Sequence, residues 1–110
     1  MIQQNLIAIG IDHDGRIWKG HFGMSPEYHL FDRAGELVEK RANPHGAGAG
    51  KRKDHSNPEL IMDLLPECST YIARRMGNES KLRLVELGVE TITTDEPDPE
   101  LALAAYLSAS

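Results

Sequence analysis

The order of hydrophobic and polar positions divides the chain into two halves of different texture. Leu6-Ile7-Ala8-Ile9-Gly10-Ile11 is a continuous apolar run rather than an alternating one, the pattern of a strand covered on both faces, and it predicts a central strand. Asp12-His13-Asp14-Gly15 supplies turn chemistry, and Arg16-Ile17-Trp18 is expected to return as a short strand. Tyr28 to Asp32 and Leu37 to Arg41 flank Arg33-Ala34-Gly35-Glu36, which reads as a hairpin with Gly at a turn position. Periodicity then vanishes from Asn43 to Asn57, where Pro44-His45-Gly46-Ala47-Gly48-Ala49-Gly50 runs into Lys51-Arg52-Lys53, so the 43–57 segment is expected to be a mobile loop.

The second half alternates helix and strand. Asn57 is expected to cap a helix with Pro58 in its first turn, and Leu60, Ile61, Leu64 and Leu65 share one face before Pro66. Ser69 to Ala73 reads as a strand, Asn78 as the cap of a helix that runs to Leu87 and ends at Gly88, and Val89 to Thr93 as another strand. Pro99 opens a last helix through Leu107. Such alternation implies parallel pairing with helices packed on the sheet. The expected fold class is α/β: a three-layer α/β/α sandwich on a mixed sheet, antiparallel in its first half and parallel in its second.

Composition limits what this fold is for. With 110 residues, 40% of them hydrophobic, residues 1–110 make one domain. Twelve basic against seventeen acidic residues leave a net charge of −5, which argues against a general nucleic-acid or anionic-membrane binder. The longest apolar stretches fall far short of a membrane span and Met1-Ile2-Gln3-Gln4 has no basic start to a signal peptide, so a cytoplasmic protein is expected. A single cysteine, Cys68, excludes an internal disulfide and an all-cysteine cluster site within one chain. A metal site must therefore lean on histidine, carboxylates or backbone.

The stretch His21-Phe22-Gly23-Met24-Ser25-Pro26 offers such a ligand. Gly23 permits a tight turn and Pro26 fixes the exit, so the His21 imidazole is presented from a rigid corner. His45 and His55 are candidates to converge with it, with the glycine-rich segment closing over a ligand. Cys68 reads either as a soft metal ligand or as a small hydrophobe at a strand entrance. Arg74 and Arg75 precede Gly77 and the second helix, whose amino-terminal amides favour an anion. Strand alternation lets one of the two arginines face the cleft, and Arg75 is the choice. Met24 and Met76 flank this region, whereas His13 and His29 read as surface or structural residues.

Taken in order, Ile7-Ala8-Ile9, His21-Phe22-Gly23, Tyr28 to Asp32, Asn43-Pro44-His45-Gly46 and Leu87-Gly88-Val89 carry a family resemblance. From Leu6 to Leu107 the chain resembles the dinitrogenase iron-molybdenum cofactor biosynthesis family, the NifX-like domains. The resemblance implies a ribonuclease H-like fold that binds, stores or delivers a preformed metal-sulfur cluster without catalysing a reaction. The implied cargo is the iron-molybdenum cofactor or a related molybdenum, iron or copper species, and the implied partners are cofactor-assembly or recipient proteins. Members also occur outside nitrogen fixation. Reading the residues alongside this resemblance, the expected cofactor-binding set is His21, Phe22, Gly23, His45, Arg75 and Gly77, and the expected metal ligands are His21, His45, His55 and Cys68. A monomer or a homodimer with a shared site is consistent with so few ligands. The chain departs from the family pattern at Arg74-Arg75-Met76-Gly77 and at Lys51-Arg52-Lys53, both of which add positive charge suited to an anionic cluster.

Two other functions compete. A nuclease of the ribonuclease H-like kind would hold two divalent metals on carboxylates, with Asp12, Asp14, Asp32 and Asp95 as candidates. A metal-free interaction module would need none of the histidines. The glycine-lysine string at 46–52 is not a phosphate loop, since position 45 is His and position 52 is Arg.

Overall fold

The computed structural model describes residues 5–44 and 58–109. Five strands, β1 (Leu6–Ile11), β2 (Glu27–Phe31), β3 (Leu37–Ala42), β4 (Cys68–Ala73) and β5 (Glu90–Thr93), form one sheet in the order β3-β2-β1-β4-β5. Three helices, α1 (Pro58–Leu64), α2 (Asn78–Glu86) and α3 (Pro99–Ala109), cover it. β2 runs antiparallel to both β1 and β3, while β4 is parallel to β1 and β5 is parallel to β4.

The unbroken apolar run of β1 is explained by its place. All six of its residues are buried, because the strand lies in the middle of the sheet with a helix layer on each face. Leu6 and Ala8 point to one side with Tyr28, Leu30, Tyr71 and Ala73, where Ile61 of α1 and Leu84 of α2 close the core. Ile7, Ile9 and Ile11 point to the other with Phe31 and Ile72, beneath Ala102 and Leu103 of α3. Each fully buried aliphatic side chain adds about 1.5–3 kcal/mol, so this single strand anchors both cores. The result is the expected three layers.

Local rules place most of the boundaries. Asp32 Oδ1 accepts from the Ala34 and Glu36 amides, both at 2.9 Å, and Gly35 takes a φ of +88°, closing the β2–β3 hairpin. Gly88, at φ +92°, ends α2. Asp98 Oδ1 accepts from the Glu100 amide at 2.9 Å and caps α3.

Four expectations are corrected. Arg16-Ile17-Trp18 returns beside β1 but only as a single antiparallel bridge, Ile17 to Ile11, flanked by bonds from the Asp12 amide to the Arg16 carbonyl and from the Trp18 amide to the Gly10 carbonyl, both at 2.8 Å, so it makes no full strand. Asn78 is the first residue of α2 rather than its cap, and Gly77 is the cap, with its carbonyl accepting from the Lys81 amide at 2.8 Å. β5 starts at Glu90, since Val89 is turned into the core. α3 continues past Leu107 to Ala109. The proposed loop and the Asn57 cap lie outside the described residues from His45 onward. No helix among the described residues is long and apolar enough to cross a membrane.

The two ends of the sheet differ. At the amino-terminal end of β4, the Arg33 guanidinium donates to the Asn5 carbonyl and Tyr106 hydroxyl, each at 2.7 Å, and to Ser69 Oγ and Thr70 Oγ1 at 2.9 and 3.0 Å. That end is tied shut by one planar donor fork. Nearby, Arg41 bonds the Leu64 carbonyl at 2.7 Å and Glu67 at 3.0 Å, joining β3 to the turn before β4. The opposite end is bounded by the segment between β1 and β2, which crosses β1 closely. A Cβ on Gly10 would lie 2.0 Å from Ser25 Oγ and 2.9 Å from Ser25 Cβ.

Two outcomes follow for stability. Gly10→Ala should cost about 3 kcal/mol through overpacking, read as a lower urea midpoint, whereas Gly77→Ala, whose Cβ meets open space, should cost no more than about 1 kcal/mol. The Arg41 hydrogen bond holds the Glu67 carboxyl below the usual glutamate range. Its contribution is therefore complete above about pH 4.3 and is lost as pH falls through the lower folded-state value. Urea midpoints measured between pH 7 and pH 3 should decline less steeply for Glu67→Gln than for the parent; parallel declines would mean the pair is not coupled to folding.

Candidate functional site

The open end of the sheet is built on the turn that carries His21. Phe22–Met24 form a single 3-10 turn whose shape is set by hydrogen bonds from below. The Phe22 carbonyl accepts from Ser25 Oγ at 2.7 Å and from the Tyr28 hydroxyl at 2.8 Å. Asn43 Nδ2 donates to the Gly23 carbonyl at 3.1 Å, the Ser25 carbonyl at 2.8 Å and Tyr28 Oη at 3.1 Å. The Phe22 ring is held between Tyr28 and Tyr71, with centroids 4.9 and 4.8 Å away. Burial keeps both tyrosines protonated far above the usual range, so they act as fixed neutral groups. The corner is therefore rigid, as its Gly and Pro suggest.

This corner is joined to the end of β4. His21 and Arg75 form a parallel bridge, and the Phe22 amide donates to the Arg75 carbonyl at 3.0 Å. The His21 side chain is exposed beside it, with Gly77 two residues beyond Arg75 at the start of α2. Thus His21, Phe22, Gly23, Arg75 and Gly77 are brought together. His45 and His55 lie outside the described residues.

Beside this junction is a cleft of about 540 Å³ lined by Trp18, Lys19, Gly20, Arg74, Arg75 and Asp95. Both arginines line it, which corrects the expectation that only Arg75 would. Alternation stops applying at Ala73, where β4 ends, and the following residues are free to turn both side chains to one side. Three cations against one carboxylate leave two positive charges in excess, and none of the three pairs with a described carboxylate. Like charges held together without partners repel one another, so the arrangement favours an anion. Trp18 and Lys19 were missed by motif reading, because nothing in their local pattern marks them. Asn43, the buried clamp of the corner, had a signal only in its place at the start of the aperiodic segment.

Cys68 is not brought to this cleft. It is the first residue of β4 and Arg75 lies beyond the last, a span of roughly 20 Å along an extended strand. Burial, aided by nearby Glu67, pushes its thiol up to about 12, which keeps it a protonated small hydrophobe in the core. Among the described residues no three His, Cys, Asp or Glu side chains gather closely enough to hold a metal ion. His29 bonds Glu27 at 2.8 Å and His13 is exposed, as expected of structural and surface residues. Met76 packs against the core and Met24 is half-buried.

The carboxylates do not assemble a two-metal centre. Asp12 follows β1 and Asp32 follows the antiparallel β2, so they sit at opposite ends of the sheet. Asp12 Oδ1 already accepts from the Asp14 and Arg16 amides at 2.8 and 3.0 Å. Asp95 stands among cations.

Several solved structures share this architecture. The apo form of the orange protein from Desulfovibrio gigas superposes with a TM-score of 0.76 at 15% identity, covering 99% of this chain and 92% of that one. A candidate NifB protein from Thermotoga, of the DUF35 family, gives 0.68 at 17% identity over 96% and 89%. A candidate dinitrogenase from Methanocaldococcus jannaschii gives 0.65 at 13% identity over 99% and 92%. At these identities the likeness establishes the fold. No curated protein matches the sequence. The family model described as dinitrogenase iron-molybdenum cofactor matches residues 4–109, nearly the whole chain, and takes in the central strand, the His21 corner and the Arg75 junction alike. The protein therefore belongs to the dinitrogenase iron-molybdenum cofactor family.

Proposed function

We propose that this protein is a non-enzymatic carrier in metallocofactor biosynthesis, which binds and hands on an anionic metal-sulfur cluster at the open end of its sheet. The observation that carries the reading is the junction of His21 with Arg75 beside three cations that lack carboxylate partners among the described residues. Family membership supplies the class of cargo, the iron-molybdenum cofactor or a related molybdenum, iron or copper cluster. In this reading the His21 imidazole is the ligand presented to a metal atom, on a corner that costs little reorganisation when the cargo arrives. Lys19, Arg74 and Arg75 offset the cluster's negative charge, and guanidinium groups suit a ligand with several acceptor atoms. Gly23 leaves the approach to His21 free of a side chain. His45 and His55 are proposed from sequence as further ligands, whereas Cys68, buried at the far end, has no part.

An exposed site served by one described imidazole fits reversible loading better than permanent retention, and so fits delivery to a recipient protein in the cytoplasm. We also assign the sheet to the ribonuclease H-like arrangement, supported by the order β3-β2-β1-β4-β5 in which β2 alone runs against its neighbours. The dispersed carboxylates weigh against the nuclease chemistry otherwise associated with that arrangement.

The test is anaerobic loading with iron-molybdenum cofactor, and separately with tetrathiomolybdate with and without copper, followed by desalting and metal analysis. Stoichiometric retention is expected, with a loss of about tenfold or more in affinity for His21→Ala and for Arg75→Ser. Asp95→Asn should tighten binding several-fold, because it removes the one carboxylate facing the anion. Failure to retain any cluster would sink the carrier reading and return the protein to the interaction-module alternative; weaker binding by Asp95→Asn would show that the cleft does not select for negative charge.

A further inference from the structure

Trp18 is the only tryptophan in the chain, and its indole is placed where none of the foregoing needs it. Its ring lines the cleft, yet Nε1 is buried and has no hydrogen-bond partner among the described residues. An unmatched buried donor costs free energy that a plain hydrophobic wall would avoid. What covers the atom is Gly20: a Cβ there would lie 2.7 Å from Nε1, 3.0 Å from Cε2 and 3.2 Å from Cζ2. Glycine at this position thus lets the backbone press on the nitrogen edge of the ring. The segment doing so, Lys19-Gly20, is itself a wall of the cleft and leads straight into His21.

We propose that Trp18 is a specificity-determining donor for the cargo, an inference that rests on the carrier reading above. As the anion enters among Lys19, Arg74 and Arg75, Lys19-Gly20 moves aside and the indole N–H donates to a sulfide or oxo atom on the rim of the ligand. The orphaned donor then gains its acceptor in a site already positive, where a hydrogen bond to an anion is stronger than one between neutral groups. The ligand class is narrowed accordingly. A doubly charged anion with projecting acceptor atoms satisfies both the cations and the indole, whereas chloride, which is monatomic and weakly accepting, satisfies only the charges.

One tryptophan gives one indole resonance, so the donor can be watched directly. The full chain labelled with ¹⁵N is titrated anaerobically with tetrathiomolybdate, and the indole ¹H–¹⁵N cross-peak is followed. Expected are a saturable displacement of that peak, a much smaller one with chloride at equal ionic strength, and roughly tenfold weaker binding by Trp18→Phe, which keeps an aromatic ring on the wall. Retention of tetrathiomolybdate on desalting with an unmoved indole peak, or equal affinity in Trp18→Phe, overturns the role of Trp18 and leaves the carrier reading standing. An equal shift with chloride overturns the selectivity. Neither retention nor a shift overturns this inference, and overturns the carrier reading with it where the iron-molybdenum cofactor is not retained either.

Discussion

The close approach of the Phe22–Pro26 corner to the central strand at Gly10 is the constraint on which the open end of this molecule depends. With no side chain on Gly10, Ser25 settles against β1, its hydroxyl reaches the Phe22 carbonyl at 2.7 Å, and the corner acquires a floor. Tyr28 and Asn43 then complete the corner from β2 and from the residue after β3. Because these groups are buried, each hydrogen bond is strong and each omission would be costly, so the turn has one shape. The Phe22 amide, pointed outward by that shape, is what fastens the corner to Arg75. A position in the interior of a strand thereby determines where His21 stands.

The same sheet supports two chemically opposite ends. At one, Arg33 spends its donors on four internal hydrogen bonds, to Asn5, Ser69, Thr70 and Tyr106, and a cation–aromatic contact of 5.7 Å with Tyr106 adds to them. At the other, Lys19, Arg74 and Arg75 line a cleft with no such partners among the described residues. Arg33 is fully engaged within the fold, whereas Arg74 and Arg75 face the cleft with no described carboxylate paired to them. A net charge of −5 hides this, since it says nothing of the three cations that line the cleft against one carboxylate. Bulk charge governs solubility and nonspecific association, and local charge governs what a cleft admits.

Membership of the dinitrogenase iron-molybdenum cofactor family and the architecture shared with the orange protein agree on a common frame. Within that frame the cleft that carries the proposed site lies at the carboxyl ends of the parallel strands. That location has a general reason: strand ends in an α/β sheet free the backbone from pairing and deliver loops from separate elements to one place. Here β1, β4 and β5 supply the cleft walls through Trp18-Lys19-Gly20, Arg74-Arg75 and Asp95 in turn.

The sequence by itself determined the layers, since an apolar run with no alternation can only be a strand covered twice, and helical spacing alternating with short apolar runs demands parallel pairing. It also determined the sharp turns at Gly35 and Gly88, which depend on the backbone freedom of one residue, and marked a turn at His21-Phe22-Gly23, whose shape contacts with Gly10, Tyr28 and Asn43 then fixed. Caps and minor strands were less legible. Gly77 rather than Asn78 proved to be the cap, and Arg16-Ile17-Trp18 paired with β1 through a single bridge rather than as a full strand. The site was legible only in part: His21 and Arg75 stood out by residue type, but Trp18 and Lys19 carried no motif, and the turning of both arginines to one side could not follow from strand alternation. The separation of Cys68 from His21 likewise belonged to the tertiary structure, because sequence lists potential ligands while strand direction decides the end of the sheet at which each is found. Local propensity is written in neighbours along the chain; convergence of side chains from separate strands is a property of the folded sheet alone.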